Sequence, residues 1–174
     1  MMFTKNSRNR YDRKDSLELG QSAESLFAKS AIKHGWVVVP ASEESNINEH
    51  FDYIMSRDKK SLKVEVKSRK RMRRGDPDIQ DEYLWVEIHG VRKDDQGWLY
   101  GGADLIAFEM TNSFRLVRRA DLARLIGSLV DFNEMVDTPK DALYKLYSRR
   151  DRHDLLAMIK TDDLLQITAL DWTK

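Results

Sequence analysis

The sequence predicts an α/β fold in which a central mixed β-sheet is flanked by helices. Apolar residues recur at helical spacing in residues 16–34, and they alternate with polar residues in residues 50–68. Further strand-like runs lie at residues 83–88 and 103–108. A helix followed by several strands favours a mixed sheet with helices packed on it.

Length and composition set the class of protein. At 174 residues the chain is long enough for one domain with a proper core. It has no cysteine, which excludes a disulfide framework and a thiolate metal site and fits a reducing compartment. No apolar run approaches membrane-spanning length, and the cationic residues 1–15 lack the apolar core of a secretory signal. We therefore expect a soluble, intracellular (cytoplasmic) protein with no membrane partner.

The first predicted element is a helix over residues 16–34, preceded by a flexible basic arm over residues 1–15. Gly35 is a typical C-terminal stop. The inward stripe of the helix consists of residues spaced four, three and four positions apart: Gly20, Glu24, Phe27 and Ala31. Glu24 therefore lies on the apolar face, where a carboxylate is unfavourable without a partner. We expect it to point at a metal ion, a base or a hydrogen-bond donor.

A β-hairpin is predicted next along the chain. Residues 36–40 predict a buried first strand, and a polar loop is expected over residues 41–49. The alternating segments at residues 50–54 and 61–68 predict two further strands. The short charged segment between them, residues 56–61, predicts the turn of the hairpin.

The second strand of this hairpin has one apolar and one charged face, because strand side chains alternate with a period of two. The apolar face carries Leu62, Val64 and Val66, and the charged face carries Lys63, Glu65 and Lys67. The hairpin would place Asp52 beside Glu65, with the Lys67 ammonium one strand step further along. Two carboxylates suit a hard divalent cation, and the whole layout is typical of phosphodiester cleavage. Glu-x-Lys also occurs on solvated strands, where it provides only weak ion pairs.

A strongly cationic segment directly follows this candidate site. Residues 57–74 contain ten Lys or Arg against two acidic residues. The candidate phosphate contacts in it are Arg69, Lys70, Arg71, Arg73 and Arg74. We favour a loop that contacts nucleic-acid phosphates, because the segment adjoins the site and would otherwise repel itself without compensation. The alternative is a solvated loop or a localisation-type patch.

The last part of the chain, residues 119–174, is predicted to be a strand and helix extension packed on a core of residues 16–118. Residues 114–122 and 156–164 resemble each other at a separation of 42 residues, each as a strand that runs into a helix. Between them, residues 139–152 predict a charged surface helix with one apolar side. No catalytic chemistry is evident in this region.

The site residues resemble those of the PD-(D/E)XK nuclease superfamily, which includes Holliday-junction resolvases and many restriction endonucleases. The family pattern is a helix carrying a Glu, a strand, an Asp, and then an acidic residue, any residue and Lys on the next strand. In this chain the elements that look like it are residues 20–24 with Glu24, residues 36–40, Asp52, and Glu65-Val66-Lys67. Phe51 stands where the family usually has Pro. The resemblance covers residues 16–70 and implies a restriction-endonuclease-like core.

The resemblance also implies an activity, that of a Mg²⁺- or Mn²⁺-dependent endodeoxyribonuclease. Asp52 and Glu65 would hold the metal ion together with the backbone carbonyl of Val66 and waters. Lys67 would orient the attacking water or stabilise the negative charge that develops on phosphorus. Glu24 would reach the same ion directly or through water. Structure-selective cleavage of DNA is one form that this activity takes in the family.

Two alternatives to a DNA nuclease are compatible with the sequence. A catalytically inactive module of the same fold would bind nucleic acid, or an acidic partner, through the basic loop and arm. An RNA-processing enzyme is the other alternative, although the chain has no recognised RNA-binding motif. A homodimer would be required for cutting both strands of a duplex, because one active site cuts one strand.

Overall fold

The structure is a computed structural model that describes residues 5–72 and 76–174, with side chains from residue 17 onward. The helices in these residues are α1 (Lys5–Lys33), α2 (Glu43–Glu49) and α3 (Arg119–Leu129). The strands are β1 (Val37–Pro40), β2 (Tyr53–Arg57), β3 (Lys60–Lys67), β4 (Tyr83–His89), β5 (Leu105–Glu109), β6 (Ser113–Arg118), β7 (Asp131–Val136), β8 (Lys145–Tyr147), β9 (Leu155–Lys160) and β10 (Ala169–Thr173). Short 3-10 helices lie at Trp98–Tyr100, Pro139–Asp141 and Thr161–Gln166. None of the helices in the described ranges combines the length and the apolar character needed to cross a membrane.

The strands form two mixed sheets. The first has six strands in the order β1-β2-β3-β5-β6-β10, and the second has four in the order β4-β9-β8-β7. In the first sheet only β3 and β5 are parallel neighbours. In the second, only β7 and β8 are. The protein therefore has an α+β architecture with mixed sheets flanked by helices, which agrees with the predicted class, but its described strands form two sheets where one central sheet was expected.

The crossover from β3 to β5 links the two sheets. Parallel neighbours cannot be joined by a tight turn, so the chain leaves the first sheet after β3. It forms β4 in the second sheet and the 3-10 helix Trp98–Tyr100 before it returns as β5. Later, β10 comes back to pair with β6. In each sheet, a strand from before the predicted boundary at residue 118 thus pairs with a strand from after it: β6 with β10, and β4 with β9.

Helix α1 covers one face of the first sheet. It buries Ala23, Phe27, Ser30 and Ala31, and it packs on apolar residues of several strands, including Val64 and Val66 of β3. The inward stripe is confirmed at Phe27 and Ala31, and Gly35, with φ of 82°, follows the helix end as predicted. The helix begins at Lys5, so residues 5–15 are helical where a flexible arm was expected. Charge alone did not indicate disorder there, because Lys and Arg are good helix formers.

The opposite face of the first sheet contributes to a second core. Ile106 and Phe108 of β5 pack there with residues of the second sheet and of α3. In the parallel register Glu65 lies beside Ile106, and Lys67 lies beside Phe108. The charged face of β3 is therefore directed towards the region between the two sheets.

The predicted hairpin is confirmed as β2 and β3. Its turn consists of Asp58 and Lys59, which both have positive φ angles (49° and 65°). Two-residue hairpin turns of this kind match the right-handed twist of the strands. The predicted division of the strand into two faces is also confirmed, because Val64 and Val66 belong to the core under α1.

Two predictions for residues 36–49 were wrong. Strand β1 is an exposed edge strand, with Val37 and Val39 65% and 53% exposed, because it pairs only with β2. An apolar run alone does not tell an edge strand from a buried one. The expected polar loop contains helix α2, whose N-cap Ser42 accepts a hydrogen bond from the Ser45 amide (3.1 Å). The signal for this helix was a serine followed by two glutamates.

The predicted helix over residues 139–152 was also wrong. This segment contains a 3-10 turn and β8, which is held between β7 and β9. Its Leu146 is buried in the core between the sheets, so tertiary pairing overrides the helical pattern. The two related units around it are confirmed as strands. The first runs into α3, but the second runs into the 3-10 helix Thr161–Gln166 instead of an α-helix.

Replacing Phe27 by Ala should lower the free energy of unfolding by about 3–5 kcal/mol. The Phe27 ring is fully buried and packs edge-on against Phe114, with 5.4 Å between the ring centroids. Ile32→Ala is the matched control, because this side chain on the same helix is 60% exposed and its loss should change stability by less than about 0.5 kcal/mol. Urea denaturation followed by circular dichroism measures both. Equal losses would show that this face of α1 is not packed on the sheet.

Candidate active site

The backbone around Asp52 extends the pairing of the hairpin. Its amide donates to the Val64 carbonyl (2.8 Å), and its carbonyl accepts from the Ala41 amide (2.8 Å). Asp52 therefore lies between α2 and β2 in the chain. Its backbone is bonded on one side to β3 and on the other side to the residue that follows β1. Its side chain is directed to the C-terminal half of β3, as the sequence predicted.

Both oxygens of the Asp52 carboxylate accept hydrogen bonds. Oδ2 accepts from the Val66 backbone amide (2.7 Å), and Oδ1 accepts from the side-chain amide of Asn46 on α2 (2.7 Å). Sequence reasoning missed Asn46 because α2 was interpreted as a loop. A helical interpretation would have placed one face of this segment against the start of β2.

Glu65 and Lys67 lie on the charged face of β3. The Glu65 side chain is buried, and its carboxylate forms an ion pair with the Lys67 ammonium. The same ammonium lies 5.2 Å from the centre of the Trp98 ring, which is a favourable position for a cation. Trp98 in turn packs against Phe108. The lysine is thus fixed by a carboxylate on one side and by an aromatic ring of the crossover on the other.

The charges of these residues are strongly coupled. Burial, and then the negative charge of Glu65, raise the pKa of Asp52 to about 6, against the lowering effects of the Val66 amide, Lys67 and Asn46. Burial alone would lower the pKa of Lys67. The neighbouring carboxylates outweigh burial, so the pKa of Lys67 is raised and the ammonium stays charged.

Glu24 belongs to the same group of charges. Its half-buried side chain on α1 has a raised pKa, first because of burial and then because of the negative charge of Asp52, with Lys67 acting in the opposite direction. The pKa of Tyr53 is also raised, by burial and then by Glu24 and Asp52. The structure therefore brings the predicted site residues Glu24, Asp52, Glu65 and Lys67 into one electrostatically coupled cluster.

Glu87 adds a further carboxylate from the second sheet. Its strand β4 pairs with β9 and not with β3. Burial raises the pKa of Glu87, and Lys67 and then His50 lower it, so these groups lie close enough to interact. Glu87 in turn raises the pKa of Lys67. A strand position alone favours a surface or structural role for Glu87, and an additional acid only if its strand adjoins that of Glu65. The crossover instead brings it to the site from the second sheet.

The donor set fits a hard divalent cation in its chemistry. Asp52 and Glu65 supply carboxylate oxygens, which such cations prefer, and their mutual repulsion is the kind that a cation relieves. Among residues 17–72 and 76–174, no group of three or more His, Cys, Asp or Glu side chains is arranged to hold a metal ion. The fit therefore rests on two carboxylates, and the Val66 carbonyl and Glu24 stay predicted ligands.

The cationic segment is partly tied to the protein. The Arg69 guanidinium pairs with Asp81 (2.5 Å), and the Arg69 amide donates to Glu109 (3.2 Å). Arg71 donates to the backbone carbonyls of Asp76 and Pro77. These bonds order the start of the loop, and they direct the Arg69 side chain to a carboxylate instead of the solvent.

Lys70 takes part in the structure of the loop through its backbone. The Lys70 carbonyl accepts hydrogen bonds from the backbone amide and the side chain of Gln80, which closes the base of the loop. Arg73 and Arg74 lie outside the described residues. Phosphate binding by this set therefore stays a prediction.

Comparisons with known proteins identify no relative. No protein-family model, no curated protein and no solved structure matches this chain.

Substituting Asp52 by Asn should make stability less dependent on pH. The folded chain raises the pKa of Asp52 from 3.8 to about 6, so the folded state binds this proton more tightly. The resulting stabilisation is present below pH 3.8 and is lost as the pH rises through about 6. The unfolding free energy of the wild type, relative to Asp52→Asn, should therefore fall by roughly 2 kcal/mol between pH 4 and 7.

Denaturant titrations with a chelator present measure this difference. Glu49→Gln is the matched variant, and the pH dependence of its relative stability should have the opposite sign. A hydrogen bond from Lys63 lowers the pKa of Glu49, so the stabilisation by Glu49 is present above its ordinary pKa and is lost as the pH falls. A relative stability of Asp52→Asn that does not change with pH would contradict the raised pKa.

Proposed function

We propose that this protein is a metal-dependent nuclease that hydrolyses phosphodiester bonds in DNA, with a core of the PD-(D/E)XK, restriction-endonuclease-like type. The observation that carries the proposal is the coupling of Asp52, Glu65 and Lys67 at one end of the hairpin. The order of elements agrees with that core: a helix carrying Glu24, a strand, a hairpin and a parallel neighbour of β3.

Asp52 and Glu65 would hold a Mg²⁺ or Mn²⁺ ion, with the Val66 carbonyl and Glu24 as the further predicted ligands. When bound, such an ion supplies Lewis acidity at the scissile phosphate and lowers the pKa of a water molecule. The chain prepares for this by fixing the backbone of both residues, because Glu65 lies within β3 and Asp52, directly before β2, donates its amide to the Val64 carbonyl. Rigid strands hold ligands more accurately than loops do.

Lys67 would stabilise the negative charge that develops on the phosphate or orient the attacking water. Its ammonium is held between Glu65 and the Trp98 ring, and its raised pKa keeps it positively charged at neutral pH. Fixed positive charge near the reacting phosphate is a major source of rate enhancement in phosphoryl transfer. No serine, cysteine or histidine nucleophile is required by this scheme.

The proposed substrate is DNA because of the charge around the site. Residues 57–74 carry ten Lys or Arg and two acidic residues, whereas the whole chain has a formal net charge of only +1. A local excess of this kind attracts a phosphate backbone over a range of about 10 Å. The proposed phosphate contacts are Arg69, Lys70, Arg71, Arg73 and Arg74, of which Arg69 also pairs with Asp81.

A catalytically inactive binding module is the second candidate, and one observation favours it. The Glu65 carboxylate already pairs with Lys67, and both Asp52 oxygens already accept protein hydrogen bonds. The carboxylates of such a site have partners within the protein, and protonation can relieve their remaining repulsion without a metal ion. The two candidates differ in whether a divalent ion stimulates product formation.

The nuclease proposal predicts that Asp52→Asn, Glu65→Gln and Lys67→Met each lower Mg²⁺- or Mn²⁺-dependent cleavage of DNA by at least about 100-fold. The substitutions keep side-chain size while they remove a metal ligand or the positive charge, so DNA binding should be largely retained. Cleavage is measured on linear, single-stranded, flapped and four-way DNA with each ion, and binding is measured separately by fluorescence anisotropy.

The matched controls are Asp137→Asn and Lys140→Met, two exposed residues in the segment that follows β7, which should leave cleavage unchanged. Steeply salt-dependent DNA binding without a metal-stimulated product would identify the inactive module. Cleavage that survives Asp52→Asn would exclude this cluster as the active site.

A further inference from the structure

Helix α2 lies at the edge of the candidate site, and none of its residues is buried. Polar contacts hold it in place. The Glu49 side chain pairs with Lys63 (2.7 Å) and the Glu49 carbonyl accepts from the Gly102 amide (2.6 Å). Arg92 donates to the Ile47 carbonyl (3.0 Å). These contacts attach the helix both to β3 and to the crossover.

Gly101 and Gly102 show how closely the crossover approaches this helix. A Cβ atom at Gly101 would lie 2.9 Å from the Glu49 carbonyl oxygen, and one at Gly102 would lie 3.3 Å from it. The helix also ends at His50 in a left-handed conformation (φ 55°), and the His50 ring is held by Asp95 (3.0 Å). The position of α2 relative to β2 is therefore set at its C-terminal end.

Asn46 is the α2 residue that reaches the site. Its side-chain amide donates to the Phe51 carbonyl (3.3 Å) and to Oδ1 of Asp52 (2.7 Å). Oδ2 of the same carboxylate accepts from the Val66 amide (2.7 Å). One donor on each oxygen fixes the rotation of the carboxylate plane. Each oxygen keeps a further lone pair for a cation.

We infer that Asn46 is a positioning residue, which holds the Asp52 carboxylate in the orientation that binds the divalent ion. The inference rests on the proposed function, because it assigns Asp52 as a metal ligand. Without Asn46, the Val66 amide is the one hydrogen-bond donor from the described residues that still restrains the carboxylate, and the side chain can rotate about its terminal bond. Hydrogen-bond partners of metal ligands act in this way, and their loss typically weakens metal affinity by about 10- to 100-fold.

The chemistry of an amide suits this role. A neutral donor fixes the carboxylate without cancelling its charge, whereas a lysine or arginine at this place would compete with the metal ion for it. The short 2.7 Å distance is typical of a hydrogen bond to a charged acceptor. The Asn46 amide also lowers the pKa of Asp52, so it favours the ionised form that a cation requires.

The test is a titration of the full chain with Mn²⁺ in the absence of DNA, followed by the electron paramagnetic resonance signal of free Mn²⁺. Asn46→Ala should weaken Mn²⁺ binding by about tenfold, with an unchanged circular dichroism spectrum, because Ala is a good helix former. In the cleavage assay the same variant should need more Mn²⁺ for half-maximal rate and should recover most of its rate at saturating Mn²⁺.

Asn48→Ala is the matched control, because Asn48 is an exposed residue of the same type on the same helix, and it should bind Mn²⁺ like the wild type. Asn46→Leu keeps the side-chain size without a donor, and it should show the same loss as Asn46→Ala. Wild-type affinity in either Asn46 variant would overturn the inference while the proposed function stands. A wild-type protein that binds no Mn²⁺ would overturn both.

Discussion

The repulsion between carboxylates gathered around one lysine is the interaction on which the site depends. Burial is unfavourable for each of these acids, and the pKa values of Glu24, Asp52 and Glu87 are all raised. A chain selected only for stability would replace such a cluster with apolar residues, which are often neutral or stabilising in place of buried charges. The retention of such a cluster supports the proposed function.

The rest of the fold keeps this cluster together. Strand β3 lies inside the first sheet, with β2 and β5 as its neighbours, so the backbone that carries Glu65 and Lys67 is held on both sides. Helix α1 packs on the apolar face of β3, and its Glu24 interacts electrostatically with Asp52 and Lys67. The crossover through β4 and Trp98 encloses the charged face. Each layer of the protein thus contributes one side of the site.

Local patterns in the sequence predicted the parts of this arrangement that depend on neighbouring residues. The alternation along residues 61–68 predicted the two faces of β3, and the stripe on α1 placed Phe27 and Glu24. The missed parts depend on long-range pairing. Nothing near β4 indicates that it leaves the first sheet, so Glu87 was not assigned to the site. Helix α2 was missed for a different reason, because it buries no residue and has no apolar period for a pattern to detect.

The charges of the cluster also indicate what is needed to complete it. Glu24, Asp52, Glu65 and Glu87 are four carboxylates that interact with the single ammonium of Lys67, which leaves a formal charge of −3 if all the acids are ionised. Protons can relieve this repulsion, as the raised pKa values of Glu24, Asp52 and Glu87 indicate. A divalent cation relieves it without protonation and leaves a formal charge of −1. Protons and the cation would then compete for the same oxygens, which links metal binding to pH. The neutral donor Asn46 favours the cation in this competition, because it stabilises the ionised form of Asp52.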